Sequence, residues 1–284
     1  QDILLRKKYN LQLFMIIENK ILEKEEQFHN RWAKSVDIKD IMVNEFFEAC
    51  TAPENRFIIS QMNDISGKYL LELGCGLGEA AVYFAKKGAK VLATDISREM
   101  LGVTLKLAEQ YNVKVETKHG SYSEAILDFS DETFDIVYAA NFLHHVDISN
   151  VVDEVFRVLK KGGKFYSWDP LAYNPIINIY RKKAMGVRTE DEHPLTMEDV
   201  QLFKKKFALV KCHYTWFFTL WIFIKFYFFD GIDPNRERYW KKILVDYKKL
   251  EKTYMKLEKL DHFILSILPF LKRYCWNIVI IAEK

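Results

Sequence analysis

The chain has 284 residues, 49% of them hydrophobic and 15% aromatic, enough apolar surface for one well-buried core with additions. A net charge of +3, from 42 Lys and Arg against 39 Asp and Glu, gives no polyelectrolyte character and argues against nucleic acid as a partner. Cys50, Cys75, Cys212 and Cys275 share no C-x-x-C spacing, so neither a disulfide framework nor a zinc site is expected, and a reducing, cytoplasmic setting fits.

In chain order, apolar residues at near-helical spacing (Leu11, Phe14, Met15, Ile17, Leu22) predict an amphipathic helix over the first thirty residues. A second helix is expected over residues 38–50, and a further apolar turn follows Pro53. From residue 69 the pattern changes. Short apolar runs at 69–73, 90–94, 113–117, 134–139 and 164–168 alternate with segments long enough for crossover helices at 79–87, 98–111 and 151–160, which implies a parallel sheet covered on both faces. Beyond Pro170 come a strand pattern at 207–214, an apolar stretch at 216–229, a Lys-rich helical stretch at 236–260, an apolar segment at 263–271 and a last strand at 276–282. The expected organisation is a helical lid over 1–66, a core over 67–170, and a remainder over 171–284 that completes the sheet and carries a helical insertion at about 216–272.

The segment LLELGCGLGEAA, residues 70–81, places Gly74, Gly76 and Gly78 between the first strand and the first crossover helix, where doubly wound sheets bind ligands. Neither dinucleotide nor P-loop spacing is present, because Glu79 stands where the third glycine of G-x-G-x-x-G would fall. A carboxylate there would repel a pyrophosphate. Asp95 ends the second strand twenty-one residues after Gly74, the interval at which an acid meets a ribose diol, although an Asp after a strand is also a common helix cap. Together these signals favour a nucleoside cofactor without phosphates.

At this point LLELGCGLGEAA, VLATDIS, KHGSYSEAILDFSDETFDIVYAANFLHHV and EVFRVLKKGGKFYSWDP resemble the successive motifs of the class I S-adenosylmethionine-dependent methyltransferases, particularly the group acting on small molecules. The likeness spans residues 69–170. It implies an α/β fold with a doubly wound, mostly parallel seven-stranded sheet whose last strand is reversed, and S-adenosyl-L-methionine as cofactor. By position it implies that Glu72, Gly74 and Cys75 border the methionine part, that Gly76 and Gly78 let the backbone pass beneath the cofactor, and that Asp95 accepts the ribose hydroxyls. Ile96 would meet one adenine face. Ser121 and Tyr122 match the adenine-contacting position, where the usual acid is missing, and Asn141 would line the cofactor and the acceptor pocket.

Methyl transfer from a sulfonium needs orientation above all, and a general base only for a hydroxyl or protonated amine acceptor. His144, His145 and Asp169 are the candidates. Adjacent residues on a helix diverge by about 100°, so at most one histidine should face the acceptor, and the pair also suits one packing and one solvent histidine. Asp169 equally suits a turn carboxylate. The loop 188–195 holds Glu190, Asp191, Glu192 and His193, and reads as well as the capped start of a helix. No metal is expected, since Asn141 stands where metal-dependent relatives of the fold carry carboxylates.

The run WFFTLWIFIKFYFF, residues 216–229, is too short to span a bilayer, which takes about twenty residues. It reads as a buried cap helix, an apolar acceptor tunnel or an interfacial segment, the last supported by the neighbouring lysines. Phe28, His29 and Trp32 are pocket candidates in the lid. The expected activity is methyl transfer to an oxygen or nitrogen of a small, hydrophobic or lipid-linked acceptor in the cytoplasm, with peripheral membrane contact and oligomeric state left open. The rivals are a nicotinamide-dependent oxidoreductase and a non-catalytic membrane-associated binding protein.

Overall fold

The structure is a computed structural model that describes residues 20–120, 128–184 and 192–284. Seven strands form one sheet: β1 (Tyr69–Leu73), β2 (Lys90–Asp95), β3 (Val115–His119), β4 (Phe134–Ala140), β5 (Leu159–Pro170), β6 (Leu209–Thr215) and β7 (Asn277–Glu283). Their order is β3-β2-β1-β4-β5-β7-β6. All neighbours are parallel except β7, which runs antiparallel to both β5 and β6. This is the expected doubly wound sheet with a reversed last strand.

Alternation along each strand divides the core between the two faces. Leu70, Ile136 and Tyr138 join one cluster with the helices Glu79–Lys86 and Arg98–Gln110. Leu71, Leu73, Val137 and Ala139 point the other way, onto the helices Ile148–Val158 and Met197–Lys206. A strand with one set of apolar residues for each face reads as a continuous hydrophobic run, which is why β1 shows no polar alternation. The helix Met197–Lys206 begins with a capping box between Thr196 and Asp199 and ends on three lysines, favourable placements for the helix dipole.

Three local expectations shift. Residues 38–50 do not form one helix: a 3₁₀ turn at Ile38–Asp40 and a single helical turn at Glu45–Glu48 replace it. Between them Ile41 and Val43 alternate into the core, and Phe47 stacks on Tyr83 with centroids 4.0 Å apart, so packing overrides the helical period. The crossover helix expected to run to 160 stops at Val158, because Leu159 already pairs with Phe134 in a β5 that includes Gly162 and Gly163. The third strand starts at Val115 rather than 113, since Asn112 adopts a left-handed conformation that closes the preceding helix.

A third apolar cluster builds the insertion after β6. Trp216, Phe223, Phe226, Tyr239 and Tyr254 pack together with Ile177 from the helix Pro175–Lys183. The apolar run forms a 3₁₀ turn at Phe218–Leu220 and the helix Trp221–Phe228, and the Lys-rich stretch forms the helices Tyr239–Val245 and Tyr247–Ile267. Asp261, buried in the last of these, accepts the backbone N–H groups of Phe217, Phe218 and Thr219 and the Thr219 hydroxyl, which ties it to the apolar run. Among the described residues no helix is long and apolar enough to cross a membrane.

Candidate active site

The chain reverses its winding direction at β1, which has β2 on one side and β4 on the other, so the crevice beyond their carboxyl ends is the topological switch point of the sheet. A cavity of about 300 Å³ opens there. Its wall near the sheet comprises Glu72, Gly74, Cys75, Gly76, Asp95 and Ile96.

The three glycines have different reasons to be bare. Gly74, Gly76 and Gly78 all have positive φ, at 68°, 53° and 89°. A Cβ on Gly76 would meet nothing within 4 Å, whereas one on Gly78 would lie 2.7 Å from Thr104 Oγ1 and 2.9 Å from Thr104 Cα. Gly78 therefore admits the neighbouring helix Arg98–Gln110, and it is absent from the cavity wall. Beside the expected place beneath a cofactor, its bare Cα thus has a packing reason. The Cys75 thiol likewise turns toward Thr104, at 3.4 Å, and presents main chain to the cavity. Gly76→Ala should cost only about 1 to 2 kcal/mol, the left-handed penalty for an L residue, because its methyl projects into open space. That same methyl occupies the crevice, and a ligand titration of the variant should show affinity reduced about tenfold, or 1.4 kcal/mol.

Asp95 is locked. Its Oδ2 accepts the Gly76 N–H at 2.9 Å and its Oδ1 the Ser97 N–H at 2.8 Å. Ser97 also caps the helix Arg98–Gln110 through Met100 N–H and donates to Asn30 Oδ1 at 2.6 Å, binding the helix over residues 20–35 to the end of β2. From that helix Phe28, His29 and Trp32 enter the cavity wall.

Three carboxyl groups share the crevice. Burial pushes Glu72 well above the usual range, with Glu79 and Asp95 nearby adding to it, and Glu72 Oε2 has no hydrogen-bond partner. Burial raises Glu79 to about 7 and also raises Asp95. A buried, incompletely satisfied carboxyl cluster suits a ligand that brings positive charge and hydroxyl donors, and it opposes a pyrophosphate. The sulfonium, ammonium and ribose diol of S-adenosylmethionine match that donor set.

The 3₁₀ turn Leu143–His145 follows β4. Asn141, with φ 51°, starts the exit and lies on the cavity wall, and the tight turn then brings both His144 and His145 to that wall, against the expectation of one. Their ring centroids are 4.0 Å apart. Asp169 is fully buried and does not reach the cavity: its Oδ1 lies 2.8 Å from His144 Nδ1 and accepts His144 N–H at 3.3 Å. It stands behind His144, whereas the expectation set it on the rim. Burial holds Asp169 well above its ordinary range against the amides of the turn. His145 Nδ1 lies 3.2 Å from Glu25 Oε1, and burial, then His144, keeps its pKa well below the usual value, leaving a neutral ring of low basicity.

His144, His145 and Glu192 bring ligand atoms within 4.8 Å of one another, a grouping that could hold a cation. Each already has a protein partner, Asp169, Glu25 and Arg181 respectively, the last pair at 2.9 Å. His193 donates its backbone N–H to the His144 carbonyl at 2.8 Å. Ser121, Tyr122, Glu190 and Asp191 lie outside the described residues.

The far end of the cavity is aromatic, with Trp168, Tyr180, Trp216, Trp240 and Trp276. Sequence reasoning missed Asn55, Arg181 and Arg238 here. Asn55 follows Pro53 in an ordinary helix start and carries no motif; Arg238 gives a weak signal as a cation beside Tyr239 and Trp240, and it lies 4.0 Å over the Trp32 ring.

Residues 71–167 match the family described as methyltransferase domain. Over this third of its length the chain is similar to methyltransferase domains. The match begins inside β1 and ends inside β5, so it takes in the glycine loop, Asp95 and the His144 turn, but not the aromatic end of the cavity. Over 109 residues the chain is 32% identical to a ubiquinone biosynthesis O-methyltransferase of Pseudomonas fluorescens, covering 38% of this chain and 47% of that protein. Over 143 residues it is 29% identical to a sterol 24-C-methyltransferase of Yarrowia lipolytica, covering 48% and 37%. The matched stretch thus spans less than half of either relative. The fold of phosphoethanolamine N-methyltransferase 2 from Haemonchus contortus, solved with S-adenosyl-L-methionine, covers 82% of this chain and 52% of that one, with a TM-score of 0.55 at 17% identity. The matched motifs are therefore set in a seven-stranded fold shared well beyond them.

Proposed function

We propose that the chain transfers the methyl group of S-adenosylmethionine to a small, apolar or lipid-linked acceptor. The observation that carries this reading is the crevice at the end of β1, where Asp95 is pinned by Gly76 and Ser97, Glu72 Oε2 is buried without a hydrogen-bond partner, and the Gly76 backbone faces open space. Bound there, the cofactor supplies an activated methyl and a neutral leaving group. The protein's part is positioning. Glu72 and the backbone of Gly74 and Cys75 hold the methionine end, Asp95 the ribose, and Ile96 the adenine, while the helix over residues 20–35 excludes water as a lid. Orientation of this kind is worth about 7 to 11 kcal/mol of barrier.

At the other end of the cavity Trp168, Trp216 and Trp276 offer a greasy receptacle, in keeping with the ubiquinone and sterol methyltransferases that the domain is similar to. Where the acceptor must lose a proton, His145 receives it, being on the cavity wall and backed by the Glu25 carboxylate, and Asp169 orients His144 next to it. Calorimetric titration with S-adenosylhomocysteine tests the cofactor assignment; absence of heat and of any thermal shift overturns it. Transfer of label from methyl-labelled cofactor into a lipid extract tests the reaction, and binding without transfer would favour a non-catalytic carrier.

The carboxyl cluster makes affinity depend on pH. Glu79 titrates at about 7 in the free protein, and a cationic ligand favours its ionised form. Affinity for the sulfonium cofactor, measured relative to the uncharged thioether product, should therefore rise with pH through about 7 and level off above it. Glu79→Gln should flatten that profile. A ratio independent of pH in the native protein would remove Glu79 from the ligand's field.

A further inference from the structure

The shell that closes the aromatic end of the cavity has a second face. It is built from three segments, residues 172–184, 216–229 and 262–276, which leave β5, leave β6 and enter β7 at the end of the sheet where the cavity opens. They are braced into one piece: Asn174 Nδ2 donates to the Tyr274 carbonyl at 2.5 Å, Trp276 N–H to the Trp216 carbonyl at 3.0 Å, and Phe223 packs on Trp276 with centroids 4.9 Å apart. Inward, Ile177, Tyr180, Trp216 and Trp276 line the cavity. Outward, the same segments expose large apolar side chains to an unusual degree, Phe228 at 74%, Phe229 at 70%, Phe270 at 65% and Phe263 at 61%, with Ile179, Trp221 and Ile267 around half.

Single exposed apolar residues are ordinary, but so many on one braced shell mark a contact surface. Its charge selects the partner. None of the three segments contains an Asp or Glu. Lys182, Lys183, Lys272 and Arg273 pair with no carboxylate among the described residues; Lys183 rests on Tyr227, and Arg273 on the Tyr173 and Tyr274 rings. A second copy of this chain using the same face would set these cations against each other. A bilayer carrying anionic headgroups would neutralise them and accept the aromatics at its interface, which is the composition of interfacial anchors.

We infer that this shell docks the protein on an anionic lipid surface, with the aromatic end of the cavity next to the bilayer. Docking stands independently of the reaction; delivery of a lipid-soluble acceptor from the bilayer through the shell rests on the methyltransferase reading. No part of the chain need cross the membrane, and the exposed rings insert only to interfacial depth.

Cosedimentation of the full chain with vesicles tests the surface. Vesicles of equal parts phosphatidylcholine and phosphatidylglycerol should bind at least about tenfold more tightly than phosphatidylcholine alone, and salt should weaken that binding. Phe228→Ser with Phe229→Ser, and separately Phe263→Ser with Phe270→Ser, should each reduce it about tenfold. All four side chains are mostly exposed, so melting temperature and S-adenosylhomocysteine affinity should stay at native values in both pairs. No vesicle binding, equal binding to both lipids, or undiminished binding by both pairs overturns the proposal. So does self-association of the native chain that the Phe pairs abolish, since the face would then belong to a second copy. Vesicle binding by a chain that does not bind S-adenosylhomocysteine overturns the methyltransferase reading and leaves the surface standing; the converse result overturns the surface alone.

Discussion

Asp95→Ala should weaken S-adenosylhomocysteine and S-adenosylmethionine alike by about 1.5 to 3 kcal/mol, roughly ten- to hundredfold, the range for hydrogen bonds to a charged group. The carboxylate is held at two points, by Gly76 N–H at 2.9 Å and Ser97 N–H at 2.8 Å, so it meets a ligand without first losing side-chain freedom. Both backbone donors lose their acceptor in the variant, and the ligand-free protein should melt earlier as well. The two effects separate in Asp95→Asn, whose side-chain oxygen can still accept one of the two N–H groups while the charge is gone: its stability should recover in part and its affinity much less. An unchanged dissociation constant for Asp95→Ala would place the ribose elsewhere.

Residues 69–170 were legible because their signals are local. A strand, a glycine loop and an acid at a fixed interval constrain one another within a single crossover unit, and the structure places Gly74, Gly76 and Asp95 around one crevice as that pattern implies. Gly78 shows the limit of such reasoning. It sits in the same motif as Gly76, yet only the position of Thr104, on a different helix, reveals that its missing Cβ serves packing. Asp169 shows the same limit: as the end of a strand it reads as exposed, and the turn at Leu143–His145 folds over it. The aromatic end of the cavity was less legible still. Its wall is gathered from β5, the helix Pro175–Lys183, Trp216 and Trp276, contacts of long sequence separation that no periodicity encodes, although the density of aromatics in 216–229 did point to that region.

Asn55 is the clearest residue with no sequence signal, and it carries the second large prediction. It is 2% exposed, and it joins three elements at the junction of the two ends of the cavity. Its Oδ1 accepts the Tyr138 hydroxyl of β4 at 2.7 Å and the Trp168 indole N–H of β5 at 3.0 Å, and its Nδ2 donates to the Phe46 carbonyl at 2.8 Å. Asn55→Leu keeps the branched outline of the side chain, adds bulk, and strands two buried donors and one carbonyl. A buried group left without its partner costs about 1 to 3 kcal/mol, so the variant should lose about 3 to 5 kcal/mol in urea denaturation. Tyr138→Phe in the native background removes one donor from an acceptor that keeps the other, and should cost about 1 kcal/mol. In the Asn55→Leu background the same change deletes a hydroxyl that already lacks its acceptor, so it should be neutral or stabilising. That reversal of sign is the signature of a shared acceptor; simple addition of the two losses would mean that Asn55 acts by packing alone. Because Trp168 is held by the same oxygen, a true hub also predicts that Asn55→Leu alters the aromatic end of the cavity more than the crevice, with S-adenosylhomocysteine affinity nearly unchanged in whatever fraction remains folded.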